Sequence, residues 1–367
     1  MSEIRVLHVI ARMNVGGTAT YIANLIKGLD SLSVRNLLAM GSVPKGEAED
    51  SVVESLKIVR VPDLSRELHP VKDLKAYRNL MKIIEEFKPD LIHTHTFKAG
   101  FLLRLRAGQI TVVHSFHGHH LYDPEFGFMK RGALNFLERR LAKRSAAIVT
   151  IGRKVRDELL EVGIGKSSQF HPIAPGIEEP KVDLVADRRG EFGISKSETV
   201  VMWLGRFTQV KRPDLVLDVA IALPEVTFVM AGGGELFESC KERAPKNVKL
   251  VGFENKHEMW KMADIGLCTS DSEGMPLSLI EAQMAGVPVV STDVGSVSEI
   301  VIDGVTGKLT QDLSGLIEGI RWVKNSISES DVLGVESRKH ALVNFTTEKV
   351  ATLHLELYKE VLDKVGR

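Results

Sequence analysis

Short β-strand patterns alternate with longer helical patterns along almost the whole chain, and this alternation constrains the fold more than any other feature. The strand patterns cover residues 5–10, 91–94, 111–115, 146–151, 200–204, 226–231, 265–268 and 287–291. Helical patterns follow, for example at residues 18–29 and from about Lys98. Strands that alternate with helices indicate βαβ units. The sequence therefore predicts an α/β protein with parallel sheets that are covered by helices on both faces.

The length and one irregular segment predict two domains. At roughly 150 residues per domain, a chain of 367 residues is too long for one core. Residues 171–198 have weak periodicity and several prolines, so we place a linker there. We predict doubly wound domains at residues 1–176 and 177–346, with a last helix at 347–367 that packs back on one of them, the first being the candidate. Ligands of such folds bind at the carboxyl ends of the strands, so a cleft between the domains is the expected site.

The charge distribution excludes nucleic acid as the main partner. The 48 Lys and Arg residues balance 48 Asp and Glu residues, so the chain has no overall basic field. Residues 1–176 carry 26 of the cations against 18 of the anions, so the two halves have opposite net charge.

Two cysteines make neither a disulfide framework nor a metal-ligand spacing. Since no signal-peptide pattern and no apolar run of about 20 residues occurs, a cytoplasmic location is expected.

A glycine pair lies between the first strand pattern and the first helical pattern. Gly16 and Gly17 let a ligand approach the backbone closely, and a helix N-terminus after them presents unpaired N–H groups to an anion. The spacing differs from the G-x-G-x-x-G dinucleotide fingerprint. A phosphate site is therefore predicted, with a plain tight turn as the alternative.

A loop with two cations follows the strand pattern at residues 200–204. Arg206 is a planar fork and Lys211 is a point charge, and together they can bracket a diphosphate at a strand end. Two solvated surface cations are the alternative interpretation.

Six of the twelve histidines cluster at the ends of two predicted strands. They are His93, His95, His114, His117, His119 and His120. Strand ends carry functional side chains in this fold class. Hydrogen-bonded imidazoles in the core are the alternative. A zinc site is a weaker one, because no Cys, Asp or Glu accompanies the histidines at suitable spacing.

The segment at residues 270–282 contains a predicted helix start. Pro276 is predicted to be the first helical residue because its missing N–H would be unpaired there, so the helix begins near Met275. The amides of Leu277 and Ser278 are then left to face an anion.

Two glutamates flank this helix start. Glu273 lies in the loop before it and Glu281 in the second turn, so two carboxylates and an anion site would line up within ~10 Å. The alternative makes Glu273 a charge that complements the helix dipole and Glu281 an exposed helix residue.

These motifs together resemble the retaining glycosyltransferases of family GT4. Glu273 and Glu281 stand in its E-x7-E pattern, and supporting matches occur at residues 14–18, 93–100, 115–119, 205–211, 231–234 and 285–307. Members of that family have the GT-B fold, in which two Rossmann-like domains face each other across a cleft. The resemblance covers the chain from end to end. Pro276 departs from it, because many relatives have a second glycine there.

The resemblance implies a role for each matching residue. Glu273 and His117 are expected to be catalytic. The expected contacts of the donor diphosphate are Arg206, Lys211, Gly16, Gly17, Leu277 and Ser278. Those of the nucleoside are Glu281, Gly252 and Phe253. Side chains expected to line the acceptor part of the site are His93, His95, Lys98 and His119.

The same resemblance implies a nucleotide-sugar donor, with UDP expected from its frequency in the family, and transfer with retention of configuration. Arg206, Lys211 and helix amides would supply positive charge to the leaving diphosphate, so no metal and no cofactor is expected. Two alternatives stay open. One is a nucleotide-sugar 2-epimerase of similar fold, and the other is a metal-dependent hydrolase built on the histidine pairs.

A basic stretch at residues 126–144 bears on the acceptor. It includes Lys130, Arg131, Arg139 and Arg140 among apolar residues, a pattern that can rest on an anionic bilayer. An ordinary solvated helix is the alternative. Because residues 93–100 resemble enzymes that build bacterial surface polysaccharides, a glycan or lipid-linked acceptor is expected, with peripheral association at the cytoplasmic face of the membrane.

Overall fold

Two compact units make up the chain. The structure, a computed structural model, describes residues 3–44, 46–106, 110–118 and 128–366, with the backbone alone at residues 106 and 128–130. One unit consists of Met1–Gly176 together with Thr347–Arg367, and the other of Ile177–Thr346. They are called the N-terminal unit and the C-terminal unit below.

The N-terminal unit is built on a parallel sheet. Its strands are β1 (Arg5–Ile10), β2 (Arg35–Met40), β3 (Ile58–Arg60), β4 (Leu91–His95), β5 (Thr111–Phe116), β6 (Ala147–Thr150) and β7 (Phe170–Pro172). Their order in the sheet is β3-β2-β1-β4-β5-β6-β7. The chain reverses its direction of growth between β1 and β4, which is where ligands of doubly wound sheets bind.

Helices cover both faces of this sheet. They are α1 (Gly17–Ser31), α2 (Pro70–Phe87), α3 (Thr96–Arg106), α4 (Phe128–Ala142) and α5 (Arg153–Glu161). Alternate residues of β1 enter two different apolar clusters: Val6 and Ile10 join the cluster that contains α1, whereas Leu7 and Val9 join the cluster that contains α2 and α3. A strand buried on both faces needs this nearly continuous apolar sequence.

The C-terminal unit repeats the same topology. Its strands are β8 (Val200–Leu204), β9 (Thr227–Ala231), β10 (Val248–Gly252), β11 (Ile265–Cys268), β12 (Val289–Thr292) and β13 (Gly307–Thr310), and their order is β10-β9-β8-β11-β12-β13. Its helices are α6 (Pro213–Ala222), α7 (Phe237–Arg243), α8 (Lys256–Met262), α9 (Leu277–Met284), α10 (Leu313–Glu329) and α11 (Val332–Asn344). Here the switch point lies between β8 and β11.

The last helix, α12 (Thr347–Asp363), belongs to the N-terminal unit. It packs against α1, where Gly28 makes room: a Cβ at that position would lie 2.7 Å from the Cβ of Ala351. Two buried hydrogen bonds add polar contacts. The Tyr21 hydroxyl lies 3.1 Å from His354 Nε2, and the Tyr358 hydroxyl lies 2.7 Å from His93 Nδ1.

The predicted fold class, α/β with two doubly wound parallel sheets, is confirmed. One helix boundary differs from the prediction. The helix α9 begins at Leu277, and Pro276 is its N-cap residue with an extended ψ of 115°, so proline precedes the first helical residue. Within the described part of the chain, every helix is too short or too polar to span a lipid bilayer.

Candidate active site

The loop that leaves β8 brings two cations to the switch point of the C-terminal unit. Phe207 anchors the loop: its side chain is fully buried and its amide donates to the Gly233 carbonyl at 2.9 Å. Arg206 is exposed, and no residue that the structure describes forms an ion pair with it. Lys211 ends a short 3-10 turn, and its ammonium group pairs with Glu273. One predicted diphosphate-binding cation is therefore open and the other is paired with a carboxylate.

Glu273 lies in the loop between β11 and α9, with its side chain 8% exposed. Both Lys211 Nζ and Ser270 Oγ contact its Oε1 atom, the latter at 2.6 Å. The second oxygen, Oε2, has no hydrogen-bond donor among the described residues. The carboxylate is thus fixed through one oxygen, and the other can accept a hydrogen bond from a ligand.

Close backbone packing holds the Glu273 loop in place. Gly295 has a φ of +54°, and a Cβ there would lie 1.6 Å from the Glu273 carbonyl oxygen. The neighbouring Ser296 amide donates to the Gly274 carbonyl at 2.9 Å. Any residue other than glycine at position 295 would push the glutamate loop away.

The N-terminus of α9 directly follows this loop. Its first two amides, on Leu277 and Ser278, donate no hydrogen bond to any residue in the described ranges. Unpaired amides at a helix start, together with the helix dipole, attract an anion. The predicted anion site has unpaired donors for this purpose.

Glu281 is held inside the C-terminal unit by two side chains from α8. Its Oε1 accepts from Lys256 Nζ at 2.6 Å, and its Oε2 accepts from Trp260 Nε1 at 3.4 Å. The Glu281 carboxylate is nearly buried, whereas Lys256 is 39% exposed. A ribose that binds Glu281 would therefore meet Lys256 as well. The sequence analysis missed Lys256 and Trp260, since neither belongs to a motif.

An exposed aromatic side chain follows β10. Phe253 is 80% exposed, and its ring covers the backbone of Gly233, where a Cβ would lie 2.5 Å from the ring. Gly252 has a φ of +74°, a conformation that favours glycine. A flat, open ring at the carboxyl end of a strand offers a stacking surface for a nucleobase.

The glycine pair occupies the predicted turn between β1 and α1. Gly16 has a φ of +151°, and a Cβ there would meet no atom within 4 Å, so the space around it is open. Its amide donates to Asp50 Oδ2 at 3.4 Å. A carboxylate therefore already faces the amide at the position predicted to contact a phosphate, and a bound diphosphate would compete with it.

The predicted acceptor-lining side chains are more buried than expected. His93 and His95 are fully buried. Lys98 differs most from its predicted environment: its side chain is 2% exposed, and its ammonium group pairs with Asp73 and donates to the Glu67 carbonyl. It ties α3 to α2 rather than lining an open surface. His119 lies outside the described residues.

Histidines on β1, on β4 and just after β5 form a hydrogen-bonded cluster. His8 Nδ1 lies 3.1 Å from His95 Nε2, and His95 Nδ1 lies 3.1 Å from His117 Nε2. His93 contacts Ser115 Oγ at 2.6 Å. Burial lowers the pKa of both His8 and His117 to about 3, so these imidazoles are neutral at neutral pH. The sequence analysis missed His8, which lies in the middle of an apolar strand.

Three of these histidines are close enough to consider as metal ligands. One nitrogen from each of His8, His93 and His95 lies within 4.8 Å of the others. However, all six of their ring nitrogens already have hydrogen-bond partners. A metal ion would have to displace several of these bonds in a fully buried place, and no carboxylate of the described residues joins the three histidines.

Two family models match the chain. The model described as glycosyl transferases group 1 matches residues 186–340, and the model described as a glycosyl transferase 4-like domain matches residues 16–176. Together the two glycosyltransferase models cover most of the chain, and the chain is a glycosyltransferase. The predicted resemblance to family GT4 and the predicted enzyme class are thus confirmed.

Curated relatives of this glycosyltransferase align along most of its length. The putative glycosyltransferase EpsF of Bacillus subtilis is 26% identical over 324 residues, which cover 83% of this chain and 82% of EpsF. The UDP-Gal:alpha-D-GlcNAc-diphosphoundecaprenol alpha-1,3-galactosyltransferase of Escherichia coli is also 26% identical, over 82% of each chain.

Solved structures show the same fold. Sucrose-phosphate synthase from Thermosynechococcus elongatus has a TM-score of 0.84 at 19% identity, covering 99% of this chain and 100% of that one. Anabaena HepE, solved in complex with UDP and glucose, has a TM-score of 0.81 at 17% identity, covering 98% and 100%. The predicted GT-B fold of this glycosyltransferase is confirmed.

Proposed function

We propose that this glycosyltransferase transfers a sugar from a nucleoside diphosphate sugar, with uridine as the nucleoside, to a glycan or lipid-linked sugar in polysaccharide or glycoconjugate synthesis. One observation carries the proposal: the open Arg206, the Lys211–Glu273 pair and the free amides of α9 meet at one switch point. The UDP-linked donor and diphosphoundecaprenol acceptor in the name of the Escherichia coli relative support it, as do the UDP complexes of HepE.

In this proposal the C-terminal unit binds the donor. Arg206 and the amides of Leu277 and Ser278 bind the diphosphate, because they are cationic or polar groups that have no partner among the residues the structure describes. Glu281 and Phe253 bind the ribose and the base. Lys211 divides its charge between the diphosphate and Glu273, so donor binding weakens a contact that the free enzyme already makes.

The proposed reaction retains the configuration of the transferred sugar. The bond between the anomeric carbon and the phosphate oxygen breaks, and its electron pair stays on the diphosphate. The acceptor hydroxyl forms the new bond on the same face and gives its proton to the departing phosphate oxygen. Positive charge on the sugar and negative charge on the diphosphate grow together, so Glu273 and Arg206 stabilise opposite ends of the transition state.

Donor specificity and reaction type are tested in one experiment. Purified enzyme is incubated with UDP-, GDP- and ADP-sugars, first alone and then with lipid-linked or free glycan acceptors, and products are identified by mass spectrometry. Transfer from a UDP-sugar that requires an acceptor supports the proposal. Conversion of the donor to its 2-epimer without an acceptor identifies an epimerase instead.

We also propose that transfer requires no metal ion, and expect full activity in excess EDTA. The physical reason is that Arg206, Lys211 and the helix amides supply the positive charge for the leaving diphosphate. Initial rates with EDTA, and with EDTA followed by excess Mg²⁺, measure this. A loss of turnover that magnesium restores would contradict it, and a loss that only Zn²⁺ restores would favour the buried histidines as ligands.

We further propose that α4 rests on the cytoplasmic face of an anionic membrane. Phe136 is 56% exposed, and the Arg140 guanidinium lies 4.8 Å from the centre of its ring. Arg139 is exposed on the same helix, and Arg131 is half-buried. An exposed aromatic ring beside cations suits the boundary between lipid headgroups and acyl chains. The side chain of Lys130, the fourth predicted contact, lies outside the described residues.

Replacing these four α4 cations with serine is expected to reduce binding to anionic vesicles while leaving nucleotide affinity unchanged. Each surface cation contributes attraction of ~1 kcal/mol to an anionic membrane at low salt. Flotation with vesicles of phosphatidylglycerol and phosphatidylcholine measures binding. The residues changed are Lys130, Arg131, Arg139 and Arg140.

A matched control removes four exposed cations from the C-terminal unit. Its changed residues are Lys196, Lys241, Arg243 and Lys246, all exposed. Both variants change the net charge equally, so a loss specific to α4 indicates a membrane surface. Equal flotation of the wild type and the α4 variant would identify an ordinary solvated helix.

A further inference from the structure

A continuous chain of hydrogen bonds, called the file below, runs from the carboxyl-terminal part of α1 to the half-buried ring of His117. It passes from Asp30 to Asn36 on β2, then to His8 on β1 and His95 on β4, and ends at His117. The separations from Asn36 onward are 3.1 Å at each of three contacts. Parallel pairing of β2, β1 and β4 brings these side chains together.

Asn36 has one possible orientation in this file. Its Nδ2 atom lies 2.8 Å from the Asp30 carboxylate and 3.1 Å from the Val34 carbonyl, and both partners only accept hydrogen bonds. The nitrogen must therefore face them, and Oδ1 must face His8. Since Oδ1 only accepts, His8 Nε2 carries the hydrogen.

The orientation of Asn36 then determines the tautomer of each histidine ring in turn, because a neutral imidazole has one donor and one acceptor nitrogen. His8 Nδ1 has a lone pair and accepts from His95 Nε2–H. His95 Nδ1 in turn accepts from His117 Nε2–H. The remaining nitrogen, His117 Nδ1, keeps a lone pair and has no partner among the described residues.

We propose that Asn36, His8 and His95 are positioning residues that fix His117 in its Nε2–H form, so that its Nδ1 accepts a hydrogen bond from a sugar hydroxyl of a substrate. The hydroxyl as ligand class rests on the proposed function, whereas the tautomer follows from the hydrogen bonds alone. Edge contact with the Tyr21 ring, at 4.9 Å between centroids, fixes the plane of the His117 ring. Neutral His117 accepts at Nδ1 and cannot donate there.

A second histidine supplies an internal contrast. His354 Nδ1 lies 2.9 Å from the Val350 carbonyl, which only accepts, so this ring carries its hydrogen on Nδ1. Its Nε2 then accepts from the Tyr21 hydroxyl. The same buried cluster thus holds rings of both tautomers, each assigned by a group that cannot donate.

The wild-type enzyme labelled with 15N at histidine tests the assignment without any substrate. Long-range 1H–15N spectra distinguish a ring nitrogen that carries hydrogen from one that has a lone pair. Single replacements of each histidine assign the signals. We expect Nε2–H forms for His8, His95 and His117 and the Nδ1–H form for His354. An Nδ1–H form at His117 would overturn the proposal. A shift of the His8, His93 and His95 signals on addition of equimolar Zn²⁺ would also overturn it, because these rings would then be metal ligands.

Two substitutions at His8 distinguish an effect of the hydrogen bonds in the file from an effect of side-chain packing alone. His8→Phe keeps the ring but removes the acceptor for His95, so His117, which His8 does not contact, should become a mixture of tautomers. His8→Asn places an oxygen where Nδ1 was and should keep His117 in one form. His114→Phe, at another buried histidine outside the file, is the control for burial and should leave the His117 signals unchanged. A single tautomer of His117 in His8→Phe would overturn the proposal.

Kinetics show whether the tautomer matters for transfer. Loss of a partner that fixes the tautomer of a metal-bound histidine typically lowers metal affinity or activity by about 10- to 100-fold. We expect a loss of about tenfold here. His8→Phe should lower kcat/KM by about tenfold and His8→Asn by much less. If the spectra show the expected tautomers but no sugar donor is used, the proposed function fails and the file stands. If donors are used and the two variants have equal kcat/KM, the role of the file in transfer is wrong.

Discussion

Replacement of Glu273 by glutamine is expected to lower kcat by about 100-fold or more, and to change nucleotide affinity little, because lost electrostatic stabilisation of a transition state typically costs 10²–10³ in kcat. Glutamine has nearly the same size and can still accept from Ser270. It removes the negative charge that faces the developing positive charge of the sugar. An interaction made only in the transition state lowers kcat and kcat/KM together.

Turnover at saturating donor and calorimetry with the nucleoside diphosphate measure the two effects on the same preparation. Asp271→Asn is the matched control, since Asp271 is an exposed carboxylate of the same loop that pairs with Arg212. It should retain turnover.

The companion variant, Glu281→Gln, should act mainly on affinity. Its carboxylate lies in α9, where the proposed function gives it the ribose of the nucleotide. We therefore expect a rise in Kd for nucleotide worth about 1.5–3 kcal/mol, the range for hydrogen bonds to charged groups. Normal nucleotide binding by Glu281→Gln, together with full turnover by Glu273→Gln, would contradict the assignment of roles.

Alanine at Arg206 or at Lys211 is expected to weaken binding of the nucleoside diphosphate by about 10- to 150-fold, corresponding to 1.5–3 kcal/mol for each charge-assisted contact. Arg206 is exposed and has no ion-pair partner within the described ranges, so its guanidinium is available for the diphosphate. Calorimetry and competitive inhibition by the nucleoside diphosphate measure the loss. Lys241→Ala removes an exposed cation elsewhere in the same unit and should leave Kd unchanged.

Stability distinguishes the two cations. Lys211→Ala leaves the nearly buried Glu273 carboxylate without its cation, so the free energy of unfolding should fall by about 1–3 kcal/mol, the cost of an unpaired buried polar group. Arg206→Ala should leave it unchanged. Denaturant titration measures both values. Unchanged inhibition constants in both variants would remove these residues from the donor site.

Much of the fold could be predicted because strands buried on both faces have continuous apolar sequences. The patterns at residues 5–10, 200–204 and 265–268 coincide with β1, β8 and β11. Five other strands escaped prediction. Polar residues interrupt three of them, namely Asn36 in β2, Lys249 in β10 and Lys308 in β13, and the other two, β3 and β7, are only three residues long. Their neighbours in the sheet, rather than their own composition, determine that they are strands.

The motifs of the candidate site could be identified, but the partners of its charges could not. Lys211 lies 62 positions before Glu273, and Lys256 lies 25 positions before Glu281. Only the pairing of β8 with β11 and the position of α8 beside α9 bring these groups together. His8 gave no signal for the same reason, because a histidine within an apolar strand does not reveal which side chains on neighbouring strands it meets.

The return of α12 to the N-terminal unit also orders events during synthesis. Tyr21 and His93 find their partners on α12, 333 and 265 positions later in the chain. The ribosome must therefore make the whole C-terminal unit before the first unit can complete its core. The part of α1 that packs on α12, though translated early, stays uncovered until the last helix emerges, and such exposed surface in a nascent chain invites chaperones or misassembly. The unit made first is thus the last to finish folding.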